Sequence, residues 1–149
     1  MYEIPKLQVP IVLSLINDES IPGMMFITQD LVSPAGNPEI AEFLNREPDD
    51  FFSFESDAGA YRLINRRQVV YIETERDDVE IREQTPLAPR SLVLHFANDT
   101  SIYGVVFPTL AEETRVSDIL NQDGQFFAIY RQGKQIIVNR HQIVYANAN

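Results

Sequence analysis

The residues of this chain that could do chemistry are few: two histidines, some adjacent acidic residues, an Asn-Arg step repeated at 65–66 and 139–140, and two Phe-Phe pairs. Histidine titrates nearest neutrality and is the usual proton carrier or metal ligand. His95 alternates with Leu92, Leu94 and Phe96 and so falls on the opposite face of a strand, while His141 lies between strands. A zinc site needs three or four ligands, and the chain has no cysteine to add to these two isolated imidazoles. The acidic pairs Asp49-Asp50, Asp77-Asp78 and Glu112-Glu113 lack the alternating oxygens and glycine turn of a calcium loop. No Gly-x-Ser-x-Gly elbow is present, and the six glycines stand singly, so none builds a phosphate loop. The chain therefore reads as a non-enzyme with no cofactor and no metal.

Recognition is a different matter. Asn65-Arg66 and Asn139-Arg140 recur in one context, and an arginine fork can clasp a carboxylate, a phosphate or a base. The same step can equally be structural, with the asparagine closing a turn and the arginine paired locally. If Phe52, Phe54, Phe127 and Ile129 face inward, Phe51 and Phe126 face outward. Outward aromatics either stack on bases or cover a neighbouring helix or barrel, and packing is the simpler expectation.

These candidates recur because the chain repeats itself. IVLSLINDESIPGMMF from Ile11 and LVLHFANDTSIYGVVF from Leu92 share eight of sixteen positions. In the same order, Ile40, Phe43, Leu44 and Asn45 answer to Val116, Ile119, Leu120 and Asn121, and Phe51-Phe52 to Phe126-Phe127. Asn65-Arg66 answers to Asn139-Arg140, and Val69-Val70-Tyr71 to Ile143-Val144-Tyr145. Two units follow, at 9–73 and 91–147, with a charged, proline-bearing stretch at 74–90 that reads as a linker. Net charge is −10 overall: −6 over 1–72, −3 over 73–91 and −1 over 92–149. Such acidity opposes a phosphate backbone. No apolar run reaches the ~20 residues of a membrane helix, and no signal peptide is visible, so a soluble cytoplasmic protein is expected.

Period-two alternation at Ile11, Leu13, Leu15 and at Leu92, Leu94, Phe96 predicts a first strand in each unit. An Asn-Asp hairpin turn follows, then a second strand bent at Gly23 or Gly104. A short helix comes next: Asn37 is placed to cap the first, before Pro38, and Thr114 the second. Three more strands close each unit, the last pair in the second unit preceded by a turn at Gln132-Gly133. The fold expected is mainly β: two tandem five-stranded small barrels, each with a short helix between its second and third strands.

The Asn-Asp turn, the strand glycine and the ending VNRHQIVY resemble an Sm-like barrel, over most of the chain outside 74–90. That resemblance implies RNA binding through Asn45, Asn121, Arg66 and Arg140, and sheet edges paired with neighbours. The chain departs from the pattern with a helix after the second strand, with Arg67 and His141 where glycine is usual, and with its acidity. The first functional expectation is accordingly a module for protein–protein assembly or regulation, with a protein partner and self-association into a homo-oligomer. Sm-like RNA binding stands second, nucleic acid being disfavoured by charge. A small-ligand or metal-binding sensor, using the acidic pairs and a groove between barrels, stands third.

Overall fold

A computed structural model describes residues 6–108 and 115–148. In the first half, β1 (Lys6–Leu15) and β2 (Ser20–Thr28) form a hairpin, followed by α1 (Ile40–Arg46), β3 (Phe51–Ser56), β4 (Tyr61–Asn65) and β5 (Val69–Glu75). A helix, α2 (Val79–Gln84), lies within the stretch expected as a linker. The second half runs β6 (Arg90–Phe96), β7 (Ser101–Val106), α3 (Val116–Leu120), β8 (Phe126–Arg131), β9 (Lys134–Asn139) and β10 (Ile143–Ala148). One turn of 3-10 helix precedes the last strand of each half, at Arg66–Gln68 and Arg140–Gln142.

Local chemistry accounts for these elements. Asp18 and Asp99 take the left-handed backbone at φ 69° and 65°, a region that aspartate tolerates, and this closes both hairpins. Gln132 and Gly133, at φ 50° and 79°, turn β8 into β9. At Gly104 a Cβ would sit 3.0 Å from the Tyr130 carbonyl oxygen; at Gly23 it would run into the Glu55 carbonyl and the Phe54 ring. The glycines let β2 and β7 press on the strands behind them. Ile40, Phe43 and Leu44 form the buried stripe of α1. Asn37 does not cap that helix: the N-cap is Glu39, without a side-chain bond, because the Asn37 amide is engaged elsewhere. The Thr114 cap and the Glu112-Glu113 pair lie outside the described residues.

All ten strands belong to one antiparallel sheet, in the order β10-β6-β7-β8-β9-β5-β1-β2-β3-β4. The sheet is open. Within each half the order is the same, with the last strand beside the first, and the halves join where β5 pairs with β9. Each half keeps an apolar cluster of its own, around Leu13, Ile27 and Phe54 in the first and Leu94, Ile129 and Ile136 in the second.

Candidate functional site

The two arginines of the repeated step do the same job. Arg66 Nη1 donates to the carbonyl oxygens of Leu44 (3.1 Å) and Glu47, at the end of α1. Arg140 Nη1 donates to the Ile119 and Leu120 carbonyls at 2.9 and 2.6 Å, its Nε to Gly124 at 2.9 Å, and its guanidinium lies 4.6 Å from the Phe127 ring centroid. The last carbonyls of a helix have no partner within the helix, and a cation at this end also meets the helix dipole. Burial lowers the Arg140 pKa from its ordinary value, while Asp123 opposes the shift. Both guanidiniums are thus spent within their own halves.

The asparagines behave differently in the two halves. Asn65 Oδ1 accepts from Arg67 N and Asn139 Oδ1 from His141 N, each at 3.1 Å, so each holds its 3-10 turn. Asn139 also reaches across the junction, its Nδ2 donating to the Val69 carbonyl at 2.8 Å with the Arg66 and Arg67 carbonyls at 3.4 Å. Asn45, at the end of α1, crosses in the other direction. Its Oδ1 accepts from Phe126 N and its Nδ2 donates to Phe126 O, both at 2.9 Å, so it grips the start of β8 as another strand would. Gln142 Nε2 donates to the Arg67 carbonyl at 2.8 Å. The counterpart of Asn45, Asn121, merely bonds back to the Ser117 carbonyl at 2.8 Å.

The phenylalanines divide along the same line. Phe51 faces outward as expected and is 53% exposed, whereas Phe126 is 2% exposed and packs into the first half's cluster. Phe126 faces away from its own half's cluster, where Phe127 and Ile129 lie, and the first half covers that face of β8. Ile137 and Ala128 join Phe126 there, while Val70, Tyr71 and Ile16 of the first half pack into the second half's cluster. The junction is therefore a two-way exchange of apolar side chains across the β5–β9 ladder. At the two ends of the sheet the equivalent positions lie open. Leu63 is 61% exposed against 0% for Ile137, and Val144 is 64% exposed against 0% for Val70. Spacing located these positions but could not say which copy is covered.

Sequence reasoning missed Glu80 altogether. This α2 carboxylate accepts from Ser33 Oγ (2.6 Å), Ala35 N (2.9 Å), Asn37 Nδ2 (3.0 Å) and Arg76 Nη2 (3.0 Å). The Ser33, Asn37 and Ala35 bonds, with help from the Arg76 charge, lower its pKa to about 2 from an ordinary 4.5. The stretch 74–90 acts as a strap between the halves: beyond Glu80, Thr85 Oγ1 donates to the Pro108 carbonyl at 2.9 Å and Arg82 lies 5.1 Å from the Phe107 ring centroid. The stretch between the repeats ties both halves together.

A groove of about 600 Å³ lies along β6–β8, lined by Arg82, Tyr103, Tyr130, Arg131 and Lys134 among others. A smaller one, about 230 Å³, lies where Lys134 of the second half meets Glu73, Glu75 and Gly23 of the first. His95 is stacked on Tyr145 at 4.2 Å, and His141 is exposed on its turn. Among the described residues no group of three or more His, Cys, Asp or Glu could hold a metal ion, and no helix is long and apolar enough to cross a membrane. Compared with protein-family models, curated proteins and solved structures, the chain gives no match.

Proposed function

We propose that this chain is a non-enzymatic assembly module, a tandem of Sm-like small barrels that works through protein contacts at the two ends of its sheet. The repeated strand order, the helix after the second strand of each half and the paired apolar clusters support the tandem reading. One observation carries the function. Of the eight large hydrophobic residues exposed among those described, Phe51, Tyr61, Leu63, Val144 and Tyr145 lie at the two ends, on β3, β4 and β10. An unpaired strand edge bearing such side chains is a template for pairing with another chain.

With the two ends of the sheet as the working surface, blocking them must abolish assembly. A tagged chain in extract of its native host should migrate well above 17.1 kDa, and the Leu63→Lys/Val144→Lys variant should fall to that mass. Migration of the unaltered chain as a monomer at native abundance overturns the reading. RNA fits less well, because Arg66 and Arg140 are held on helix carbonyls and the net charge is −10. Titration with poly-U at moderate salt should show no saturable binding below about micromolar, whereas specific binding modules with basic patches reach much tighter values. Salt-sensitive submicromolar binding would reverse the ranking.

A further inference from the structure

We infer that the partner at each end is a second copy of this chain, joined head to tail by β10 of one copy pairing with β4 of the next. The inference rests on the assembly reading and names its partner. Its basis is the junction inside the molecule, which already shows how one half holds another: the last strand of the first half against the fourth strand of the second. The fourth strand of the first half, β4, and the last strand of the second, β10, are the two strands that end the sheet. Each end thus carries the half of the junction that the other lacks.

The repeat carries the register across. Asn65 answers to Asn139 and Tyr145 to Tyr71, so the ladder Tyr71–Val138, Ile72–Ile137, Glu73–Ile136, Thr74–Gln135 becomes Tyr145–Ile64, Ala146–Leu63, Asn147–Arg62, Ala148–Tyr61 between copies. The side-chain bonds transpose with it. Asn121 would grip the backbone of Phe51 of the next copy, as Asn45 grips Phe126. Asn65 of the next copy would donate to the Ile143 carbonyl, as Asn139 donates to Val69. Phe51, Leu63, Val144 and Tyr145, exposed at the ends, are the counterparts of Phe126, Ile137, Val70 and Tyr71, all covered at the junction. A second copy accounts for each of these at once.

Charge favours the same order. Head-to-tail pairing sets a half of net −1 (92–149) against a half of net −6 (1–72), whereas β4 against β4 would set −6 against −6. Such an interface is heterologous, so it closes into a ring where the rotation permits and otherwise extends as a chain.

The chain has no cysteine, so engineered thiols report the register without background. Arg62 and Asn147 are exposed and sit directly opposite in the transposed ladder, within disulfide reach. The purified Arg62→Cys/Asn147→Cys protein, oxidised, should form disulfide-linked dimers and higher multiples, and neither single variant should. Light scattering of the unaltered protein should give a multiple of 17.1 kDa. Val144→Lys should return it to monomer, Asp78→Ala in the strap should not, and Asn121→Ala should raise the dissociation constant about ten-fold, the effect of losing one such hydrogen-bonded contact. Cross-linking of Arg62→Cys alone would show β4 against β4 and overturn the head-to-tail order. A purified chain that stays monomeric, beside an end-dependent complex in extract, overturns the second-copy inference and leaves the assembly function standing; monomers in both overturn both.

Discussion

β9 and β4 occupy the same place in the repeat and lead opposite lives. In β9, Ile136, Ile137 and Val138 are wholly buried and Asn139 is sealed beneath the first half's 3-10 turn; in β4, only Ile64 is buried. The sequences have diverged to match, with Arg62 where β9 has Ile136. A charge on an edge strand guards it against indiscriminate pairing. A strand held permanently against its neighbour has no need of one. Burial within a repeat is thus decided by what lies alongside a strand, and residue type follows.

The largest effect should separate Ile137 from Leu63. Ile137→Ala empties a fully buried site and should cost about 2–5 kcal/mol in chemical denaturation, while Leu63→Ala in the monomer should stay within about 0.5 kcal/mol. Equal losses would mean that β4 is covered in solution by something other than this chain's own fold.

The strand glycines sharpen the same comparison from inside each half. A methyl at Gly23 meets a carbonyl oxygen and an aromatic ring at once, whereas at Gly104 the nearest atoms stand at 3.0 and 3.1 Å. Gly23→Ala should cost about 1–3 kcal/mol by overpacking and Gly104→Ala less, compared by melting temperature. A reversed order would show the packing around Gly23 to be the more pliable.

Asn139→Ala removes the donor that caps the Val69 carbonyl in a buried seam and should cost about 1–3 kcal/mol. Asn65→Ala should cost only its turn bond, about 1 kcal/mol, until copies associate. A concentration-dependent penalty for Asn65→Ala would then report the seam forming between molecules.

The smallest effect concerns the strap, which has no copy elsewhere in the repeat. With a folded pKa near 2 against an ordinary 4.5, ionised Glu80 stabilises the fold fully above about pH 4.5 and ceases to as pH falls through about 2. Glu80→Gln should lower the melting temperature at pH 7 and flatten its fall between pH 4.5 and 2. An unchanged profile would mean that the other carboxylates of this acidic chain dominate.

Much of this was legible in the residues. The Asn-Asp turns, the glycines within β2 and β7, the stripe at Ile40, Phe43 and Leu44 and the repeat itself are local patterns, and local patterns survive in a sequence. Phe51 and Phe126 are the counter-example. They share residue type and position, and only the neighbouring strand distinguishes an exposed ring from a core one. Asn45 and Asn121 are likewise identical until Phe126 is brought beside one of them, 81 residues along the chain. Asn37 has the position of a helix cap, the usual short-range use of asparagine, but Glu80, 43 residues away, claims its amide instead. The arginines show the reverse. Their repeated spacing was informative, but its meaning lay in the helix ends to which that spacing delivers them.

The cluster of the first half contains Phe126 and Ile137, which lie beyond its own last strand. During synthesis from the N-terminus, the first half therefore reaches the ribosome exit before two of its core residues have been made. Until β9 emerges, the β5 edge and the seats for those side chains must stay open to water, to chaperones and to other nascent chains. A neighbouring polypeptide carrying the same repeat could occupy that edge before the covalent partner arrives, so translation speed between residues 75 and 139 bears on whether the second half docks onto its own chain or another's.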